Sequence, residues 1–158
     1  MRVLTVRQPW AWAIIHGGKD VENRVRSLGP YRGPVAIHVS LSIADAKAWT
    51  DQNVQNAMFN AASLPVWHAT VGTVIGVIDL VDVHPSVDPE WELPCGGMDD
   101  MYRGHYCSPW AMADHHHLVL SNPRPLPSPI PATGRLGLWR PDDALLAAIT
   151  EQLAEVRS

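Results

Sequence analysis

The sequence predicts an α+β domain built on a curved sheet or small barrel with two to three flanking helices. Several short segments alternate apolar and polar residues as strands do, two or three others repeat apolar residues at helical spacing, and no segment recurs along the chain. Strand-like and helical segments do not alternate regularly, which argues against a βαβ fold. Because 158 residues suffice for one hydrophobic core, we expect a single domain over residues 1–158.

A strand and a short helix are predicted at the start of the chain. Residues 2–6 alternate as a strand, and Pro9 stands where the first turn of a helix tolerates proline. Gly17 is placed to end this helix in a left-handed conformation. The next segment, DVENRVR over residues 20–26, alternates as a strand with its charged side chains on one face.

The middle of the chain predicts two more strands and a longer helix. A strand over about residues 35–39 precedes a helix that Ser42 caps, with Asp45 three residues on, and that ends near Phe59. The most strand-like run is ATVGTVIGVIDLVDVHP, residues 69–85, whose two glycines permit a bend or a bulge.

The last part of the chain is less regular. Residues 85–114, termed the excursion below, mix prolines, glycines, acids and both cysteines without a clear period, which predicts a long irregular segment. HHLVLS, residues 116–121, predicts a strand, whereas the prolines of residues 122–131 exclude central pairing because proline lacks an N–H. A closing strand over residues 134–140 and a C-terminal helix opened by Pro141 complete the chain.

Basic residues concentrate at the start of the chain. The net charge of −4 is atypical of a protein that coats nucleic acid, yet residues 1–40 carry six of the 12 lysines and arginines and two of the 16 acids. Because potential is set by charge within a Debye length, this part can form an anion-binding face. No apolar run approaches the roughly 20 residues of a membrane span and no signal peptide is evident, so we expect a cytoplasmic protein without a membrane partner.

The segment GGKDVENR, residues 17–24, carries a resemblance to a known family. Gly17, Lys19, Glu22 and Arg24 fit the pattern G-x-K-x-x-E-x-R, the signature of the ASCH domain family. The flanking runs RQPWAWAI and GRLGLWRP resemble the segments that bracket such domains. The chain therefore resembles an ASCH domain, which implies a PUA-like β-barrel with a cleft around the motif.

The resemblance implies a nucleic-acid partner. Members are similar to RNA-binding modules, to amidohydrolases that deacetylate N4-acetylcytidine, or to a metal-assisted ribonuclease. We therefore predict a domain that binds RNA or a modified nucleoside; the first alternative is a hydrolase, and the second is a non-catalytic protein-interaction domain that uses the excursion. The deacetylases have threonine three residues after the lysine, and Glu22 at that position argues against their mechanism because a carboxylate cannot replace a hydroxyl.

The motif residues have distinct predicted roles. In a hydrolase, Lys19 would act as nucleophile or base and Glu22 as general base, while in a binding module they would hold an anionic or polar ligand. Arg24 and Arg26 lie on the same strand face as Glu22 and would bind the substrate. The intervening Asp20 and Asn23 are spacers in the pattern. The alternative for each charged residue is a solvated surface turn, or a surface ion pair that contributes about 0–1 kcal/mol.

Gln8 and Trp10 are predicted to shape the substrate pocket. Gln8 can read a base edge, cap the helix that follows it, or do both. Trp10 and Trp12 are two residues apart and cannot share a helical face, so one packs inward and the other covers the cleft, where it could stack on a base.

The signal for a metal site is weak. The histidines at 115–117 and the side chains of Cys95, His105 and Cys107 are ligand types, but the sequence has no C-x-x-C pair, and consecutive histidines on a strand point to opposite faces. We therefore assign no metal ligands and no cofactor, and reserve a divalent metal for the ribonuclease alternative.

Overall fold

A six-stranded mixed sheet organises the chain. The structure is a computed structural model and describes residues 1–44, 46–61 and 70–156. The elements of these residues are β1 (Arg2–Val6), α1 (Trp10–His16), β2 (Val21–Arg24), β3 (Gly33–Val39), α2 (Ala46–Trp49), α3 (Gln52–Asn60), β4 (Thr73–Pro85), β5 (His116–Pro131), β6 (Leu138–Trp139) and α4 (Asp143–Glu155). The order of strands in the sheet is β2-β5-β4-β3-β1-β6.

The sheet curls into a half-barrel. Strands β1 and β3 pair in parallel, with Arg2 opposite Val35, and the other neighbours are antiparallel. The register between β4 and β5 shifts beside Gly76, where a bulge was expected, and a Cβ there would lie 2.6 Å from Cδ1 of Ile15. A glycine therefore lets α1 approach the sheet closely. The predicted α+β class with a curved sheet and flanking helices is confirmed.

Each face of the sheet carries its own core because successive strand residues point to opposite sides. On one face, Leu4 and Val6 pack with Ile14 of α1. On the other face, Val3 packs with a cluster that includes Ile149 of α4. The polar site described below lies beside the α1 face.

Two local predictions differ from the structure in the first half of the chain. The helix expected from Ser42 to Phe59 is split into α2 and α3, because Asp51 caps a new helix by accepting hydrogen bonds from the N–H groups of the second and third residues after it. The chain thus has four helices in its described part; the proposed cap partner, Asp45, lies outside the described residues. Gly17 ends α1 but has a φ of −106°, and the left-handed residue is Gly18, with a φ of 70°.

The proline-rich residues 122–131, for which the sequence predicts no central pairing, form the second half of β5 at an edge. They pair with β4 alone, since β2 pairs only with residues 116–119, and the prolines stand at an edge where no N–H is needed. The excursion is irregular as predicted, with two isolated bridges. Across the described ranges, no helix has the length and apolar character needed to cross a membrane.

Candidate functional site

A cleft of about 600 Å³ opens beside the motif. It lies where the end of β1, the start of α1, strand β2 and the segment 132–137 meet. Among the described residues that line it, the charged ones are Arg7, Arg24, Arg135 and a single acid, Glu22. Three of these four charged residues are basic.

Glu22 lies at the floor of the cleft and is fixed by two cations. Its side chain is 10% exposed. Oε1 lies 3.1 Å from an Arg24 nitrogen, and Oε2 lies 3.7 Å from Nζ of Lys19. Arg24 also donates a hydrogen bond of 2.9 Å to the Thr5 carbonyl, which ties the motif to β1. The carboxylate is thus held in one place while its remaining lone pairs stay available to a ligand.

Lys19 is buried behind Glu22. The residue is 4% exposed, and Nζ donates to the carbonyl of Val21. The Nζ atom lies 5.5 Å from the ring centre of Trp10 and 5.4 Å from that of Trp110, so the ammonium is enclosed by two aromatic faces. Burial lowers the pKa of Lys19, and the nearby carboxylate of Glu22 opposes that effect.

The two spacers of the motif attach the excursion to the site. Asp20 accepts a hydrogen bond of 2.5 Å from the Ser108 hydroxyl. The Asn23 amide donates to the carbonyl of Trp110 and accepts from the N–H of Met112, each at 2.9 Å. These bonds bring Trp110 onto Lys19. Within GGKDVENR, Lys19, Glu22 and Arg24 therefore form the ion-paired group of the site, while Asp20 and Asn23 bind the excursion.

The remaining predicted binding residues lie in different environments. Trp10 is half-buried and lines the cleft, whereas Trp12 is 2% exposed and packs inward. Gln8 is 1% exposed; its Oε1 accepts from the N–H of Trp12 at 2.9 Å, as in the capping alternative, and its amide donates to Thr70. Arg26 is exposed beyond the end of β2 and is not among the described cleft-lining residues.

Sequence reasoning missed His38 and Arg135, which both line the cleft. His38 is 1% exposed, its Nε2 lies 3.0 Å from the Ala132 carbonyl, and burial lowers its pKa. Its Nδ1 is buried and has no hydrogen-bond partner among the described residues. The Arg135 guanidinium lies 5.7 Å from the ring centre of Trp139. A strand histidine and a loop arginine carry no signal in the sequence that would distinguish them.

A second polar group lies at the end of β4 and the start of β5, where His117 is the cross-strand partner of Asn23 in β2. His84, Cys95, Cys107 and His117 each offer a ligand atom, and these atoms all lie within 4.8 Å of one another. We call this group the histidine–cysteine cluster. Of the ligand types noted in the sequence, the structure thus brings together both cysteines and one of the consecutive histidines, adds His84, and leaves His105 outside.

The chain is similar to crystal structures of ASCH proteins from Zymomonas mobilis. A tyrosine-to-phenylalanine mutant of ZmASCH has a TM-score of 0.51 at 17% identity, over 94% of this chain and 96% of that one. ASCH from the same organism has a TM-score of 0.49 at 19% identity, over 98% and 94% of the two chains. No protein-family model and no curated protein matches the chain. The first likeness shows that the chain has the fold of an ASCH protein.

Proposed function

We propose that the chain binds RNA by seating one nucleotide in the cleft beside β2. The observation that carries this proposal is the fixed carboxylate of Glu22, buried at the floor of a cleft whose other charged lining residues, in the part of the chain described, are arginines. A ligand that fits has a hydrogen-bond donor that reaches Glu22 inside the cleft and an anionic group that meets the arginines at its rim. A nucleotide whose base has an exocyclic amino group, including an N4-modified cytidine that keeps its N–H, has both.

The base would be recognised inside the cleft. A glutamate accepts a hydrogen bond from the N4 amino group of cytosine, and one well-placed base contact distinguishes bases by about 1–3 kcal/mol. Uracil presents a carbonyl oxygen at the same position and would be repelled by Glu22. Trp10 supplies an aromatic wall for stacking, which contributes about 1–3 kcal/mol per base.

The phosphates would lie at the rim. Arg7 and Arg135 are both exposed and both line the cleft, from opposite segments of the chain. Arginine binds phosphate oxygens through two parallel N–H groups. A strand of RNA passing the rim would therefore find two cations for its phosphates.

Lys19 serves in this proposal as a positioning residue. Its ammonium is enclosed between Trp10 and Trp110 and is not among the described cleft-lining residues, so it acts on a ligand through Glu22. The hydrolase alternative instead needs the amine of Lys19 to reach the substrate. Incubation with N4-acetylcytidine and with RNA, with and without magnesium, distinguishes the two by mass spectrometry.

Binding of cytidine and uridine 5′-monophosphates tests the proposal directly. We expect the cytidine nucleotide to bind at least about 5-fold more tightly, and Trp10→Ala to weaken it by about 5- to 150-fold, as measured by isothermal titration calorimetry. Trp91→Ala is the matched control because Trp91 is 68% exposed and outside the cleft.

Equal affinity for the two nucleotides, or equal effects of the two tryptophan substitutions, would contradict the proposed mode of binding. Release of acetate or cleavage of RNA, lost in Lys19→Ala, would instead establish the hydrolase. Cytoplasmic localisation and the absence of a cofactor from the cleft remain predictions.

A further inference from the structure

We propose that His84, Cys95, Cys107 and His117 form a closed structural zinc site that fixes the excursion to the end of the sheet. This inference is independent of the proposed RNA binding. The two histidines are cross-strand partners in the register of β4 and β5, so their side chains lie on the same face. The cysteines come from the excursion, and both are free thiols in the structure.

The distances in the histidine–cysteine cluster suit tetrahedral zinc. Sγ of Cys95 lies 3.2 Å from Nδ1 of His117, and Sγ of Cys107 lies 3.5 Å from the same nitrogen. With zinc bonds of about 2.3 Å to sulfur and about 2.0–2.1 Å to nitrogen, tetrahedral ligand atoms lie roughly 3.3–3.8 Å apart. Both sulfur–nitrogen distances are close to this range, and no pair of ligand atoms, at up to 4.8 Å apart, has to close by more than about 1.5 Å to enclose one ion.

Each histidine is oriented by its other ring nitrogen. Nε2 of His117 lies 2.8 Å from the Met112 carbonyl, and Nδ1 of His84 lies 2.8 Å from an Asp82 carboxylate oxygen. Both acceptors place the proton on that nitrogen, which leaves Nδ1 of His117 and Nε2 of His84 with free lone pairs. A second partner of this kind is usual for histidines that bind zinc.

The lone pair of His84 is left without a hydrogen bond. Its Nε2 is buried and has no partner among residues 1–44, 46–61 and 70–156, where a buried polar atom normally has one. A bound metal would satisfy it. The N–H of Cys107 also donates to Sγ of Cys95 at 3.3 Å, so the two cysteines are held next to each other.

The ligand types select zinc over the hard cations. Two thiolates and two imidazoles suit Zn²⁺, whereas Mg²⁺ prefers oxygen ligands. This site is therefore different from the magnesium site that a ribonuclease would use. Binding forms two Zn–S and two Zn–N bonds and releases the two thiol protons to solvent. With four protein ligands the coordination is complete, which indicates a structural role.

The site would also set the position of Trp110. Cys107 is followed directly by Ser108, which donates a hydrogen bond to Asp20. Trp110, two residues further on, covers Lys19. A metal that holds Cys107 therefore holds the segment that encloses the cation behind the cleft. The excursion is then held by zinc at one end and by the motif at the other.

Metal analysis of the full chain tests the proposal. Protein purified without chelator is expected to contain about one zinc per chain, and Co²⁺ exchanged into the metal-free chain should give the visible absorption of a tetrahedral thiolate site. Cys107→Ser and His84→Gln should abolish both signals. His105→Gln is the matched control, since His105 is an exposed histidine of the excursion outside the cluster.

Asp82→Asn covers the case in which the ligand variants fail to fold. This change leaves all four ligands in place and should lower zinc affinity by about 10- to 100-fold, because Asp82 orients His84. Failure of the wild-type chain to take up zinc or Co²⁺, a Cys95–Cys107 disulfide in the purified protein, or metal retained equally by the ligand variants and His105→Gln would overturn the proposal.

Discussion

The cleft and the histidine–cysteine cluster differ in the space that lies in front of their polar groups. At the cleft, Glu22 is already paired with Lys19 and Arg24, and the open volume lies in front of it. At the cluster, four donor atoms face one another with no such volume between them, and one buried nitrogen, on His84, has no partner in the described part of the chain. The first arrangement suits an organic ligand and the second suits an ion.

The excursion joins these two regions. Cys95 and Cys107 contribute to the cluster, while Ser108 and Trp110 reach the motif. A segment without regular secondary structure is thereby held at both ends by side chains. The comparison predicts that removing the metal from the cluster changes the structure around the cleft, whereas a substitution at the cleft leaves metal binding by the cluster unchanged.

Metal removal should have the largest effect. An ion that binds only the folded chain stabilises it by about 4 kcal/mol when its free concentration is 1,000 times its Kd, so a chelator should lower the free energy of unfolding by at least about that amount. Urea unfolding measures the loss, and hydrogen exchange over residues 95–112 should rise with it. If the chelator changes neither, the two regions are not coupled by a metal.

Substitution of Lys19 should have the next largest effect on stability and should not alter the cluster. Lys19→Met removes one partner of a buried ion pair, and we expect the free energy of unfolding, measured in urea, to fall by about 3 kcal/mol. This value is at the low end for buried pairs because Glu22 keeps its second partner, Arg24. Lys47→Met is the control, since Lys47 is exposed. Zinc content should be unchanged in both variants. Equal stability of the two would mean that the buried ammonium contributes nothing to the fold.

The buried histidine of the cleft predicts a pH dependence. Burial lowers the pKa of His38 below its usual 6.5, so the unfolded chain binds a proton more readily than the folded one. The free energy of unfolding should therefore fall as pH drops below about 6.5, by no more than about 1.4 kcal/mol per pH unit from this group. Urea titrations of His38→Gln should show a shallower slope than His105→Gln, and identical slopes would exclude His38 as a source.

Most of the fold follows from local patterns in the sequence. The α+β class and the strand at residues 2–6 depend on alternation and apolar spacing, which neighbouring residues determine. The errors arise where a single side chain or a tertiary contact decides. Asp51 starts a new helix within a helical pattern, and Gly17 is required by space, because a Cβ there would lie 2.9 Å from Cα of Ala13.

The functional residues also fall into those that a local motif predicts and those that only the tertiary structure brings together. Glu22, Arg24 and Lys19 are close in sequence, so one motif predicts all three, although it does not show that Lys19 is buried behind the other two. His84 and His117 are brought together only by the pairing of β4 with β5, and no spacing in the sequence encodes that register. Non-local contacts are therefore what the sequence leaves undetermined.

The smallest expected effect concerns which region meets the phosphates of RNA. If the rim of the cleft does, Arg135→Gln should reduce the slope of log affinity against log salt by about 0.7, the value for one phosphate contact on a single strand. Arg103→Gln is the comparison on the excursion, because Arg103 is exposed but already paired with Asp99 at 2.9 Å. Fluorescence anisotropy with a short cytidine-containing RNA over a salt series measures both slopes. A change for Arg103 and none for Arg135 would move the RNA from the cleft to the excursion, since only a cation that displaces counterions from a phosphate alters this slope.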